Sequence, residues 1–359
     1  MTSITVHTPP EGNFFEDFTI GREFLHPTPR TITAGDASLY IALTGARQPL
    51  PCCAPLATAM GYPQAPLDDG LVFNMAFGKT VSDISANAVA NLGYADVRFL
   101  EPVHAGDTLT AHSTVIGLRP TSSGDNGVVY VRSTAFNQHD RPVLTWIRWV
   151  LVHARNPGGA TGAPVVPPLP ARVEPGDLPV PAITVDLPAL FRASGSSRTW
   201  EDYAAGQRIE HSAGMTLEEA DHTLATRLYQ NGAKVHFDAH MMQTTPHGRR
   251  LVYGGHVISV CRALACEGLE NALGILAING GAHRAPTFAG DTLYCLTEVI
   301  EKFELTGRTD LGGLRLRMVG IKNSPSAGFV PQAEVEGKIR FHPAMVLDLD
   351  YTVMVPRRA

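Results

Sequence analysis

The densest run of chemically capable side chains is Gln230-Asn231-Gly232-Ala233-Lys234-Val235-His236-Phe237-Asp238, with Gly254-Gly255 following at the head of an apolar segment. An imidazole titrates near neutrality, so His236 is the best proton carrier in the window. Gly254 and Gly255 open a helix whose first backbone N–H groups lack intrahelical partners and whose dipole favours negative charge. Glycine also allows a ligand close to the backbone. Each feature has a plainer reading: a histidine bonded to backbone, glycines that only turn the chain, an Asp238 that braces its loop. His236, Asp238 and His240 alternate, so on a strand they would share a face as metal ligands do. Alternating polar residues more often mark a wet face, and no metal is expected.

These residues need a frame. The chain has 359 residues, a net charge of -5, 44% hydrophobic and 18% charged residues. That is ordinary globular material, long enough for two cores of common size. The slightly acidic balance leaves no footprint for nucleic acid. No apolar run approaches the roughly 20 residues that cross a bilayer. Met1 to Phe14 lacks the basic start and apolar stretch of a secretory signal, so a cytoplasmic location is expected. Cys52, Cys53, Cys261, Cys266 and Cys295 show no CxxC pair and no zinc spacing, and read as reduced thiols.

Arg155 to Pro188 is rich in Pro, Gly and Ala and carries no periodic apolar face. Pro167-Pro168 and Pro179-Val180-Pro181 favour extended backbone, as in a connector. The expected organisation is an N-terminal half (1–154), a Pro-rich linker (155–188) and a C-terminal half (189–359). The halves repeat each other. Phe15-Glu16-Asp17-Phe18 with Gly21 returns as Trp200-Glu201-Asp202-Tyr203 with Gly206, 185 positions later. Pro102 and Ala105-Gly106-Asp107-Thr108-Leu109 return as Pro286 and Ala289-Gly290-Asp291-Thr292-Leu293, shifted by 184. Each half should hold a short helix from Thr33 or Glu218, then a longer buried helix, about Phe73 to Leu92 and Gly254 to Ala272. Strand-like runs follow: Val128–Val131 and Val143–Val150, then Leu314–Val319 and Val346–Val353. Alternation from Leu314 to Met318 predicts one wet and one buried sheet face. Helix plus antiparallel strands, twice, is an α+β layer architecture.

Arg98-Phe99-Leu100-Glu101-Pro102 with Gly106-Asp107-Thr108-Leu109 resembles the strand entry of the MaoC-like branch of the hot-dog superfamily. The resemblance implies a double hot-dog, each half a long helix wrapped by an antiparallel sheet. That branch's hydratase signature, G-D-x-N-P-x-H-x-D, falls on Gln230 to Asp238. Only His236 and Asp238 match, and Asn231 stands where the family has its catalytic aspartate. The first half's window, Gly45-Ala46-Arg47-Gln48-Pro49-Leu50-Pro51, has Ala46 and Pro51 at the acid and histidine positions, so that half is expected to be structural. Phe77-Gly78-Lys79-Thr80-Val81, Ala225-Thr226-Arg227-Leu228-Tyr229-Gln230-Asn231 and Val252-Tyr253-Gly254-Gly255-His256 are similar to the mesaconyl-CoA hydratase family. So are Asn13 to Phe18, Asn91-Leu92-Gly93-Tyr94 and the terminal Asp348 to Val353 with Pro356-Arg357-Arg358.

The resemblance implies a hydro-lyase that interconverts β-methylmalyl-CoA and mesaconyl-CoA without metal or redox cofactor, coenzyme A being part of the substrate. It implies a small-molecule acyl-CoA as partner, no nucleic acid, no membrane, and homo-oligomers. His236, Asn231, Asp238 and Gly254 are then the catalytic candidates, with Gly255 beside the thioester. Asparagine cannot be a general base; an amide at Asn231 could instead donate to the substrate's second carboxylate, which an aspartate would repel. His236 would carry most of the proton transfer, with help from Asp238 or Glu267. Arg227, Lys234 and Arg262 are candidates for the distal carboxylate, and Arg249-Arg250 for the CoA phosphates. Each of these cations, taken alone, is more often a solvated surface residue than a ligand contact. The competing functions are a hydratase of another enoyl thioester and a thioester-binding protein without turnover.

Overall fold

The computed structural model describes residues 12–358. Met1–Glu11, within the stretch considered above for a targeting signal, lie outside the described residues. The first half contributes strands β1 (Glu23–Thr31), β2 (Ala88–Phe99), β3 (Thr108–Pro120), β4 (Asn126–Phe136) and β5 (Pro142–His153). The second contributes β6 (Arg208–Glu210), β7 (Met215–Thr216), β8 (Gly274–His283), β9 (Thr292–Glu304), β10 (Leu311–Lys322), β11 (Gln332–Val335), β12 (Lys338–Phe341) and β13 (Met345–Pro356). One 11-stranded sheet runs in the order β1-β3-β4-β5-β2-β8-β13-β10-β9-β6, with β7 also on β9. The halves join where β2 pairs antiparallel with β8, Tyr94 opposite Gly281 and Val97 opposite Ile278.

Each half wraps a helix. The N-half helix, Asp69–Lys79, is buried from Leu71 to Lys79; the C-half helix, Gly254–Leu264, is buried from Gly255 to Leu264. The two lie antiparallel against each other. Asn74 Nδ2 donates to the Gly255 carbonyl at 3.2 Å and to Ser259 Oγ at 3.0 Å. A Cβ on Gly78 would stand 1.9 Å from the Tyr229 carbonyl oxygen. Glycine is therefore needed there to let the second half's loop lie on the first half's helix.

Shorter helices enter each half. Ala34–Thr44 starts at Thr33, whose side chain accepts from Asp36 N while Asp36 accepts from the Thr33 backbone, a reciprocal cap. Glu219–Leu228 takes the corresponding place in the second half. In β10 the alternation is as expected: Leu314, Leu316 and Met318 are buried, and Arg315 and Arg317 are half-buried.

Two helix extents are corrected. The N-half helix ends at Lys79, a short turn follows at Val81–Ile84, and Ala88–Leu92 belong to β2. Ala88 pairs with Val152 and Ala90 with Leu151; ladder pairing overrides the helix preference of alanine. The C-half helix ends at Leu264 rather than Ala272, and Gly268 at φ +91 turns the chain.

The Pro-rich segment packs as a strap. Val165 bridges to Leu118, and Val173 N donates to Asn279 Oδ1 at 2.9 Å. Val173, Leu178 and Ile183 are buried in one apolar cluster with Leu50, Leu56 and Leu276. No helix among the described residues is long and apolar enough to cross a membrane.

Candidate active site

His236 ends a short 3₁₀ turn, Lys234–His236, in the loop that Gly78 admits. Its Nδ1 lies 2.9 Å from the Leu251 carbonyl oxygen. That oxygen can only accept, so Nδ1 carries the proton and Nε2 presents a lone pair. Burial pushes the imidazole down to about 4, against the bond to Leu251, which raises it; nearby His222 lowers it further. The ring is neutral at pH 7. It stands edge-on to Tyr253, with centroids 5.5 Å apart.

Tyr253 is the N-cap of the C-half helix and supplies no side-chain cap. Hydrogen bonding begins with His256 N donating to the Tyr253 carbonyl at 2.9 Å. The Gly254 and Gly255 N–H groups therefore have no acceptor among the described residues, and the helix start is open to an anionic oxygen. Asn231 is buried, with its Oδ1 accepting from Ala233 N at 3.0 Å. That bond makes a tight turn after Gln230, which sits at φ +52. The Asn231 amide nitrogen has no hydrogen-bond partner among the described residues.

The remaining candidates separate. Asp238 Oδ1 accepts from Met241 N at 2.9 Å and caps the turn Ala239–Met242, which is a bracing role. Lys234–His236 is a 3₁₀ turn and Ala239–Met242 a short helical turn, with Phe237 and Asp238 between them, so His236, Asp238 and His240 do not share a strand face and the metal-ligand geometry is lost. Among the described residues no group of three or more His, Cys, Asp or Glu is arranged to hold a metal. Arg227 and Lys234 are exposed. Arg249 stacks 4.0 Å above the Phe288 ring, and Arg250 pairs with Glu219. Arg262 is buried, 6.0 Å above the Tyr351 ring and under the fields of Asp68 and Asp69. It belongs with the start of the N-half helix, not with His236. Glu267 lies past the end of the C-half helix, where its carboxylate accepts from Ser212 Oγ at 3.3 Å.

Two residues not singled out from sequence stand close by. His283, at the end of β8, lies against Gly254: a Cβ there would be 2.4 Å from its Nε2. The same nitrogen is 3.2 Å from the Tyr94 hydroxyl of the other half. Burial brings His283 down to about 4, with His236 adding a repulsive contribution. Arg148, opposite Tyr94 across the β2–β5 ladder, is 0% exposed. It donates to Thr80 Oγ1 at 2.9 Å and lies 4.2 Å above the Phe77 ring. Among the described residues it has no carboxylate partner, and burial lowers it to about 10. The Tyr253 hydroxyl, whose field reaches Arg148, is buried and unbonded.

The corresponding corner of the first half is built differently. Pro51, Asp69 and Phe99 occupy the positions that the repeat assigns to His236, Gly254 and His283. They line a cavity of about 60 Å³, and burial pushes Asp69 up to about 7. Among the described residues that line it there is no imidazole.

The profile of the mesaconyl-CoA hydratase family matches residues 4–328. The chain belongs to that family. It is 50% identical over 347 residues to the β-methylmalyl-CoA dehydratase of Chloroflexus aurantiacus, covering 97% of this chain and 98% of that one. It is 48% identical over 346 residues to the mesaconyl-CoA hydratase of Cereibacter sphaeroides, covering 96% and 98%. A crystal structure of a MaoC domain dehydratase from Chloroflexus aurantiacus superposes with a TM-score of 0.94 at 50% identity, over 99% of this chain and 100% of that one. A double hot-dog protein from Mycobacterium tuberculosis superposes with a TM-score of 0.74 at 25% identity, over 96% and 99%. The chain has the MaoC-like double hot-dog fold, α+β in class.

Proposed function

We propose that this chain is a hydro-lyase that reversibly dehydrates β-methylmalyl-CoA to mesaconyl-CoA. The observation that carries the proposal is the pairing of a neutral His236, its Nε2 free, with the uncapped Gly254-Gly255 helix start. In the hydration direction, His236 Nε2 takes a proton from water as the water oxygen bonds to the β-carbon. The double-bond electrons move through the α-carbon onto the thioester oxygen, which the Gly254 and Gly255 N–H groups hold. The imidazolium then gives its proton to the α-carbon, so one water is added and the histidine is restored. The acid-base and oxyanion contributions are about 10²–10⁴ in rate and about 3–4 kcal/mol respectively. The elements of water are added with no net oxidation or reduction, so the step requires no redox group, and coenzyme A arrives with the substrate.

Two features support a dicarboxylic acyl group. Arg148 is a buried cation without a carboxylate partner among the described residues, a costly arrangement unless an anion joins it. Asn231 offers an amide donor where an aspartate would repel a carboxylate. Asp238 braces the loop. Arg249 and Arg250 are the cations proposed for the CoA phosphates; Arg227 and Lys234, proposed from sequence for the distal carboxylate, are exposed. The five cysteines are free thiols, which suits a cytoplasmic setting and association of whole chains without disulfides.

The test is hydration of mesaconyl-CoA by the purified chain, followed by loss of the conjugated thioester absorbance and compared with crotonyl-CoA. A kcat/KM favouring mesaconyl-CoA is expected. A preference for crotonyl-CoA would move the substrate to another enoyl thioester, and tight binding with no turnover of either would make the chain a binding protein.

A further inference from the structure

We infer that His283 is the second catalytic residue of this site, a neutral imidazole that donates a hydrogen bond from Nδ1 to the thioester oxygen as it becomes an enolate. The inference rests on the hydro-lyase reading above and adds a group that neither the signature window nor the helix start contains. Its basis is geometric. The His283 ring lies on Gly254, the first residue of the helix, with Nε2 only 2.4 Å from where a Cβ would stand, so a side chain there would have to displace the ring. Its Nε2 is 3.2 Å from the Tyr94 hydroxyl.

That bond decides the tautomer. Tyr94 is buried, and burial raises its phenol well above the usual range, so the proton stays on oxygen. The hydroxyl has no other acceptor among the described residues, and a buried donor left unbonded is costly. The Tyr94 O–H therefore donates to Nε2, and the neutral ring carries its own proton on Nδ1. Nδ1 has no partner among the described residues, and the His283 side chain is only half-buried, so that N–H is available to a ligand.

The two histidines thus hold opposite roles. His236 gives its N–H to Leu251 and keeps a lone pair; His283 gives its lone pair to Tyr94 and keeps an N–H. One is arranged as a base and the other as a donor. The positive end of the C-half helix disfavours an imidazolium over Gly254, and this keeps His283 a neutral electrophile, as another enolising enzyme holds a histidine at a helix start. No proton leaves His283: the proton from water goes to His236 and returns from it to carbon, while His283 and the two glycine N–H groups hold the oxygen. Tyr94, from the first half, is a positioning residue acting through His283.

The experiment is steady-state kinetics of the full chain and its His283→Ala, His283→Gln and Tyr94→Phe variants, on mesaconyl-CoA and crotonyl-CoA across pH, with melting curves as a check on folding. Loss of one oxyanion donor lowers kcat about 10²–10³-fold, so His283→Ala should lose that much on both thioesters with KM little changed. His283→Gln, which retains an N–H donor, should recover part of it, and Tyr94→Phe should lose roughly tenfold in kcat. The acid limb of the pH profile should survive in all three, because His236 remains the base. If His283→Ala does not fold, His283→Gln and Tyr94→Phe carry the test: both at wild-type kcat overturns the inference. So does His283→Ala within about threefold of wild type, or loss of the acid limb, which would make His283 the base. A wild-type chain that hydrates crotonyl-CoA but not mesaconyl-CoA overturns the proposed substrate alone, and the role of His283 is then read on crotonyl-CoA.

Discussion

Gly254 and His283 occupy each other's space: the methyl group that alanine would add at 254 falls 2.4 Å from Nε2 of the imidazole. A helix start open to a ligand and a histidine laid across it are one construction, assembled where β8 ends beside the C-half helix.

Gly254→Ala should therefore be worse for catalysis than for folding. The methyl must push the imidazole aside, an overpacking change that costs about 1–3 kcal/mol of stability. The displaced ring and the blocked approach to the helix should lower kcat/KM about 10²-fold or more. Melting temperature and kinetics measured on the same preparation separate the two effects.

Arg148→Gln should change the choice of substrate. If the guanidinium balances the second carboxylate, the variant loses about 10²-fold in kcat/KM on mesaconyl-CoA, as removal of one partner of a buried charge pair does. Crotonyl-CoA, which has no second carboxylate, should lose only a few-fold or gain. Equal losses on both would mean that Arg148 only ties Thr80 and Phe77 together.

Asn231→Asp places a second negative charge beside a dicarboxylic substrate. The expected result is a rise in KM for mesaconyl-CoA of about tenfold or more, with a smaller effect from Asn231→Ala. If both variants match wild type, the amide has no part in recognising that group.

Acid should destabilise the fold through three histidines whose surroundings disfavour the charged ring. His236, His256 and His283 are each held down to about 4, mainly by burial, against about 6.5 when unfolded. Between these values the unfolded chain binds the extra protons, so stability is full above pH about 6.5 and falls as pH drops toward 4. His256 is 0% exposed and both its ring nitrogens are unbonded. His256→Phe should therefore reduce the pH slope of the denaturation midpoint in that window by up to about one proton. An unchanged slope would show that His256 does not titrate with unfolding.

The duplicated plan was legible because Gly-Asp turns and aromatic-acidic starts recur at a constant shift, and a doubled α+β layer architecture followed from it; the double hot-dog form was implied by the resemblance to the MaoC-like branch. His236 was proposed from its residue type together with its place in the signature window, and Gly254 from its place at the head of an apolar run, both of which are local features. Arg262 could not be placed that way. Eight residues along the helix from Gly254 is about 12 Å, and antiparallel packing puts that end beside Asp68 and Asp69. Arg148 was hidden in a strand that reads as apolar, because its burial depends on Phe77 and Tyr94 closing over it. His283 left a signal that went unused: at the 184-position shift it replaces Phe99, so the two halves differ there by an imidazole. The helix boundaries at Lys79 and Leu264 depend on which strands compete for the following residues, and composition does not record that.

The most direct test of the mechanism is turnover of mesaconyl-CoA by His236→Ala, with thioester binding measured in parallel. A drop in kcat of about 10²–10⁴ with binding retained is the predicted result. Turnover within a few-fold of the unaltered chain would contradict it, because the proton would then be travelling through some other group.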